Sequence, residues 1–200
     1  MAAYLYVIPI LAIGGVTLVL QKTYQKKFFF KTGNAFVYPM YLCLFGVPVY
    51  LLLAKFRIEF SIFSFICGLL HGMLNGLLSV LVLFVMRYNK QATYSVFVQF
   101  FGLIIPFVYG AVFLNETVSW NQYVGFACML LAVGLLFFQK KGEKMEFHFI
   151  LLCILCGCLS GAMSVISKFH QISPYAVSTE SFLIYINIGM FLVTGVALLV

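Results

Sequence analysis

The sequence has no aspartate, and its 200 residues hold only five acidic residues, three histidines and one tryptophan. The acidic residues are Glu59, Glu116, Glu143, Glu146 and Glu180, and all fall at the ends of apolar runs. No carboxylate is therefore placed to relay protons through the middle of a membrane. At that depth His71 is the one titratable group able to respond near neutral pH. Also missing are a Gly-rich phosphate loop after a strand pattern, paired histidines with a carboxylate, and a Gly-x-Ser-x-Gly elbow. The expectation is a protein that is not an enzyme, with no cofactor and no metal. Charge is scarce too: charged residues make up 8% and apolar ones 64%, against about a quarter and about half in soluble domains. A soluble core is excluded by that balance. What remains is an integral membrane protein in which helices satisfy the backbone.

The net charge of +7 does not point to nucleic acid, because the lysines and arginines sit in short clusters between apolar runs. Such clusters set membrane orientation. Six cysteines, at positions 43, 67, 128, 153, 156 and 158, all lie within apolar runs. Cys153, Cys156 and Cys158 form a cluster, but its immediate neighbours are Leu, Ile and Gly, and small helix-packing residues are expected rather than metal ligands. The start, Met1 to Tyr6, lacks the positive flank of a secretory signal, so the first apolar run is expected to stay as a span.

Seven runs are long enough to cross a hydrocarbon core of ~30 Å as helices: Tyr4 to Leu20, Phe36 to Ala54, Ile62 to Met86, Thr93 to Leu114, Trp120 to Phe138, Phe147 to Ser167 and Ser181 to Val200. The fold class is thus all-α and polytopic. The fourth and fifth runs share a short polar elbow from Asn115 to Gln122. Pro106 bends the first arm, Ser119 and Gln122 have capping-box spacing at the start of the second, and Gly125 and Gly134 follow. That pattern of proline, Glu-Thr at Glu116, Gln122 and paired glycines resembles the end of the repeat unit in EamA-type members of the drug/metabolite transporter superfamily. The resemblance implies a secondary transporter, residence in a bacterial plasma membrane, and structural roles for Pro106, Glu116, Gly125 and Gly134. Glu116 lies at the interface, where capping of amides or pairing with a basic group is favoured over a coupling role.

A shift of 146 residues places Gly15, Val19, Leu20 and Lys22 over Gly161, Val165, Ile166 and Lys168, and Phe36 over Phe182. Spans six and seven then read as copies of spans one and two. The expected domains are residues 1–140, a five-helix repeat, and residues 146–200, the opening two helices of a second. An odd helix count per repeat inverts the second copy across the bilayer, the plan of many secondary transporters. On this arithmetic the chain is part of a ten-helix protein of roughly 290 residues. Loops one, three and five hold nine of the twelve basic residues, which places the N-terminus outside. The resembled family keeps it in the cytoplasm, and a reporter fused near Lys141 distinguishes the two.

Polar groups inside spans are costly and mark candidate sites. His71, Asn75 and Ser79 recur at four-residue spacing in the third span beside Gly68 and Gly72. This face either lines a substrate cavity or hydrogen-bonds between helices. Tyr94, Ser95 and Gln99 mark a stripe on the fourth span, with Gln99 the candidate contact. Thr17 and Gln21, Ser160 and Ser164, and Tyr185 and Asn187 are further candidates for the same cavity. The leading expectation is alternating-access efflux or exchange of a small metabolite or drug-like compound. The partners would be that solute and the lipid bilayer. The rival is a non-transporting assembly subunit or half-transporter that needs a homodimeric or inverted partner. A seven-helix receptor fits less well, since span seven has no lysine to hold a chromophore.

Overall fold

Long apolar runs satisfy their backbones most simply as helices. The computed structural model, which describes residues 7–28, 34–138 and 146–199, has seven α-helices and no strand among those residues. They are α1 (Val7–Phe28), α2 (Asn34–Leu53), α3 (Ile62–Val85), α4 (Gln91–Phe113), α5 (Trp120–Phe138), α6 (Phe147–Ile172) and α7 (Thr179–Leu199). A single 3-10 turn, Met86–Tyr88, joins α3 to α4. Five helices, α2, α3, α4, α6 and α7, are long and apolar enough to cross a membrane. The described parts of α1 and α5 fall outside that set, so the seven expected spans number five on this measure. Lys31, Lys140, Lys141, Glu143 and Lys144 lie outside the described residues.

Two helices run well past the ends of their apolar runs. The first helix continues through Lys22, Lys26 and Lys27, and the sixth through Lys168 and His170. An α-helix does not stop where the hydrocarbon does, and cations in its last turn complement the negative end of its dipole.

Small residues decide which helices touch. Gly68 of α3 abuts Tyr185 and Ile186 of α7, Gly72 abuts Ile186, Gly189 and Met190, and Gly76 abuts Met190 and Thr194. Position rises together on both helices, so α3 and α7 run parallel. The same holds for α4 and α6, where Gly157 meets Phe101, Gly161 meets Ile105 and Gly110 meets Lys168. Short connections reverse the chain between α2 and α3 and between α3 and α4, and Tyr24 near the end of α1 meets Asn34 and Tyr38 at the start of α2. Hence α7 opposes α2 and α6 opposes α1 in direction. An inverted pair requires that relation, and simple alternation of seven spans also produces it.

The spatial order is α2, α7, α3, α6, α4, with α5 resting mainly on α4 and α1 beside the 3-10 turn. At one end Val82, Val85, Met86, Tyr94, Phe97, Phe149, Cys153 and Cys156 form a buried apolar plug. At the other, the loop before α3 grips the start of α7: Glu59 Oε2 accepts from Ser178 N–H at 2.7 Å, and Tyr185 Oη donates to the Glu59 carbonyl at 2.6 Å. Exposed leucines, phenylalanines and valines cover much of the outer surface, as suits lipid as solvent.

Candidate functional site

Between the plug and the opposite end, α3 and α6 turn polar stripes toward a shared cavity. On α3 the stripe is His71 and Asn75, one helical turn apart. On α6 it is Ser160, Ser164, Ser167, Lys168 and Gln171, which share a face because three- and four-residue steps return to the same side of a helix. Together with Met163 these residues line a cavity of about 500 Å³. The glycine face of α3 lies next to the polar one, so close packing on α7 and the cavity on α6 use adjacent sides of one helix.

The cavity holds donors and acceptors with a single charge. Ser164 donates its hydroxyl to the Ser160 carbonyl at 3.1 Å, the local bond of a helical serine, and keeps acceptor capacity. His71 sets its ring edge-on to Phe182, with centroids 6.2 Å apart, and its Nδ1 is enclosed without a hydrogen-bond partner. Such an atom is expensive at this depth.

Lys168 closes one wall of the cavity and reaches across to the elbow. Its Nζ donates to Glu116 Oε2 at 2.5 Å, an ion pair with 30% and 50% of the two side chains exposed. Gly110 leaves room for it, since a Cβ there would lie 2.7 Å from Glu116 Oε2 and 2.9 Å from Lys168 Nζ. The elbow is further fixed by Glu116 N–H donating to the Gly110 carbonyl at 3.1 Å, and by Ser119 N–H donating to Gln122 Oε1 at 2.8 Å. The latter is one half of the capping box.

Beyond the ion pair lies a second cavity, about 420 Å³, under the elbow between α4 and α5. Leu103, Pro106, Phe107, Phe126 and Met129 give it an apolar wall, Gln122 and Gly125 its α5 side, and Glu116 and Lys168 its polar edge. Lys168 is thus common to both cavities.

Among the residues singled out in the sequence, His71, Asn75, Ser160 and Ser164 come together and Pro106, Glu116, Gln122 and Gly125 lie at the adjoining cavity. The others lie elsewhere. Tyr94 is buried in the apolar plug. Gln99 faces a shallow recess of about 190 Å³ against α5, with Ser95 and Met129. Thr17 is half-buried on α1, which neighbours α2, α3 and the 3-10 turn. Tyr185 is taken up by Glu59, and Asn187 donates to the Leu183 carbonyl beside Gly46. Gly134 has nothing within 4 Å of a Cβ position. Ser167, Lys168 and Gln171 were missed because hydropathy closes the sixth span at Ser167, although their spacing from Ser160 already continues the stripe.

A buried histidine lies just outside this region. His170 stacks on Phe182, with centroids 3.8 Å apart, and shares a 3.0 Å hydrogen bond with Ser64. Ser64 donates its one proton to the Tyr175 carbonyl and accepts from Val177 N–H. It can only accept from His170, which places the imidazole proton on Nε2. That network is saturated and fixes the end of α6 to the start of α3.

Comparison with protein-family models, curated proteins and solved structures returns no match.

Proposed function

We propose that this chain is part of an EamA-like secondary transporter that moves a small metabolite or drug-like solute by alternating access, and that the α3–α6 cavity is its solute site. The observation that carries the reading is a cavity of about 500 Å³ lined by seven polar residues and Met163, set between two helices apolar enough to span a membrane. Polar side chains collected at such depth are kept for a solute or ion path more readily than for packing, which glycine achieves at less cost. His71 lines that cavity, and its enclosed Nδ1 has no hydrogen-bond partner. Seven spans, the second repeat as an inverted partial copy of the first, and a bacterial plasma membrane complete the proposal.

The test is water access. In proteoliposomes, Ser164→Cys should react with a charged, membrane-impermeant thiol reagent, while a lipid-facing Leu155→Cys and the unmodified protein, whose cysteines lie in apolar spans, stay unreacted. Silence at Ser164→Cys would sink the solute path. The second reading, an assembly subunit, then gains if crosslinking finds obligate pairing through α4 and α5, where Leu103, Val108, Val112, Leu130, Leu131 and Leu135 leave apolar surface uncovered.

A further inference from the structure

We infer that the two cavities joined at Lys168 form one composite site for an amphipathic anion, with the anionic group on the Lys168 ammonium and the apolar part under the elbow. This deepens the transport reading and rests on it for the polar half of the site. Three features converge. The polar cavity contains no carboxylate, so Lys168 is its only charge. The neighbouring cavity is apolar everywhere except where Glu116, Thr117, Gln122 and Lys168 meet it. The two share Lys168 as a wall, so a molecule with a charged head and an apolar body finds both halves of its chemistry on either side of one ammonium.

Glu116 occupies the position that such an anion would take. Its carboxylate is half exposed and its bond to Lys168 joins two partly exposed groups, a class of ion pair that holds weakly. An incoming carboxylate with an apolar body gains burial that Glu116 does not, and so displaces it. Freed, Glu116 turns to the interface, and the elbow loses its tie to α6. What still holds α5 is mainly α4, where Phe126 packs on Phe107 and Phe100 with centroids 4.9 and 6.3 Å apart, while Gly125 and Gly134 have nothing within 4 Å of their Cβ positions. Ligand binding and release of the elbow are then one event, an exchange of partners on Lys168.

The only tryptophan, Trp120, begins α5 directly after the elbow and reports this exchange by its fluorescence. In lipid nanodiscs, titration with decanoate should give a saturable change in Trp120 emission that 1-decanol, its uncharged counterpart, does not. Lys168→Gln should raise the half-saturation concentration about tenfold, the loss of one charge-assisted contact. Lys168→Arg should retain the response, and Glu116→Gln should lower the half-saturation concentration, since the internal competitor is gone. An equal response to 1-decanol, an unchanged midpoint in Lys168→Gln, or weaker binding in Glu116→Gln overturns the proposal. If Lys168→Gln does not fold, the Glu116→Gln and Lys168→Arg titrations still decide it. A Ser164→Cys that stays unlabelled while decanoate binds as described removes the transport reading and leaves the anion site, and the converse outcome does the reverse.

Discussion

Among the described glycines, Gly72 marks the tightest approach. A methyl group there would meet the Ile186 carbonyl, Met190 N at 2.7 Å and Gly189 Cα at 2.9 Å, all backbone of α7. Backbone cannot move aside as a side-chain tip can, so Gly72→Ala should destabilise the protein by about 1–3 kcal/mol, the range for overpacking. Gly125→Ala meets open space and should be neutral or stabilise the helix by up to ~1 kcal/mol. Thermal unfolding in detergent separates the two, and equal melting points would mean that α3 and α7 are not in backbone contact. At this scale the sequence was partly legible. Four-residue spacing placed His71 and Asn75 on one face and Ser160 and Ser164 on another. Which faces meet depends on helix pairing, and nothing local to Tyr94 says that it enters an apolar plug while Ser164 enters a cavity.

Individual helices owe their existence to apolar length and their ends to polar detail. Hydropathy located the five helices long and apolar enough to cross a membrane, yet it closed the sixth run at Ser167, where the helix runs on to Ile172 and carries Lys168 and Gln171 into the cavity wall. The start of α7 shows how a cap from another segment does the work of a local one. Glu59, lying before α3, accepts from Ser178 N–H with a full negative charge at the positive end of the α7 dipole. Its own N–H donates to Ser181 Oγ at 3.1 Å. Glu59→Ala should cost about 1 kcal/mol, as for loss of a helix cap, and should loosen amide exchange at residues 178–182 before other parts of the bundle. Uniform loosening along α7 would contradict that. No spacing rule joins Glu59 to Ser178, which lie 119 residues apart.

For the molecule as a whole, the cysteines report the packing. Cys43, Cys67, Cys153 and Cys156 are buried, whereas Cys128 on α5 and Cys158 on α6 are exposed, and all six are free thiols. A lipid-soluble maleimide should modify Cys128 and Cys158 first, with the other four protected until the bundle is unfolded, as read by peptide mass. Cys153 and Cys156 reacting as quickly as Cys158 would mean that the plug between α3, α4 and α6 is absent. Class and membrane character were legible because composition alone excludes a soluble core. Helix neighbours were not, because they depend on small residues whose partners are remote in the chain.

Parallel pairing of α3 with α7 has a consequence for biosynthesis. Bonds between the start of α3 and the region around α7 connect residues 111 to 126 positions apart. At a synthesis rate of ~5–20 residues per second, the glycine groove of α3 waits on the order of ten seconds in the bilayer before its mate has been made. During that interval the groove is open to lipid tails or to the helices of other nascent chains. A ribosomal pause before α7 should therefore lower the yield of folded protein more than the same pause placed after it.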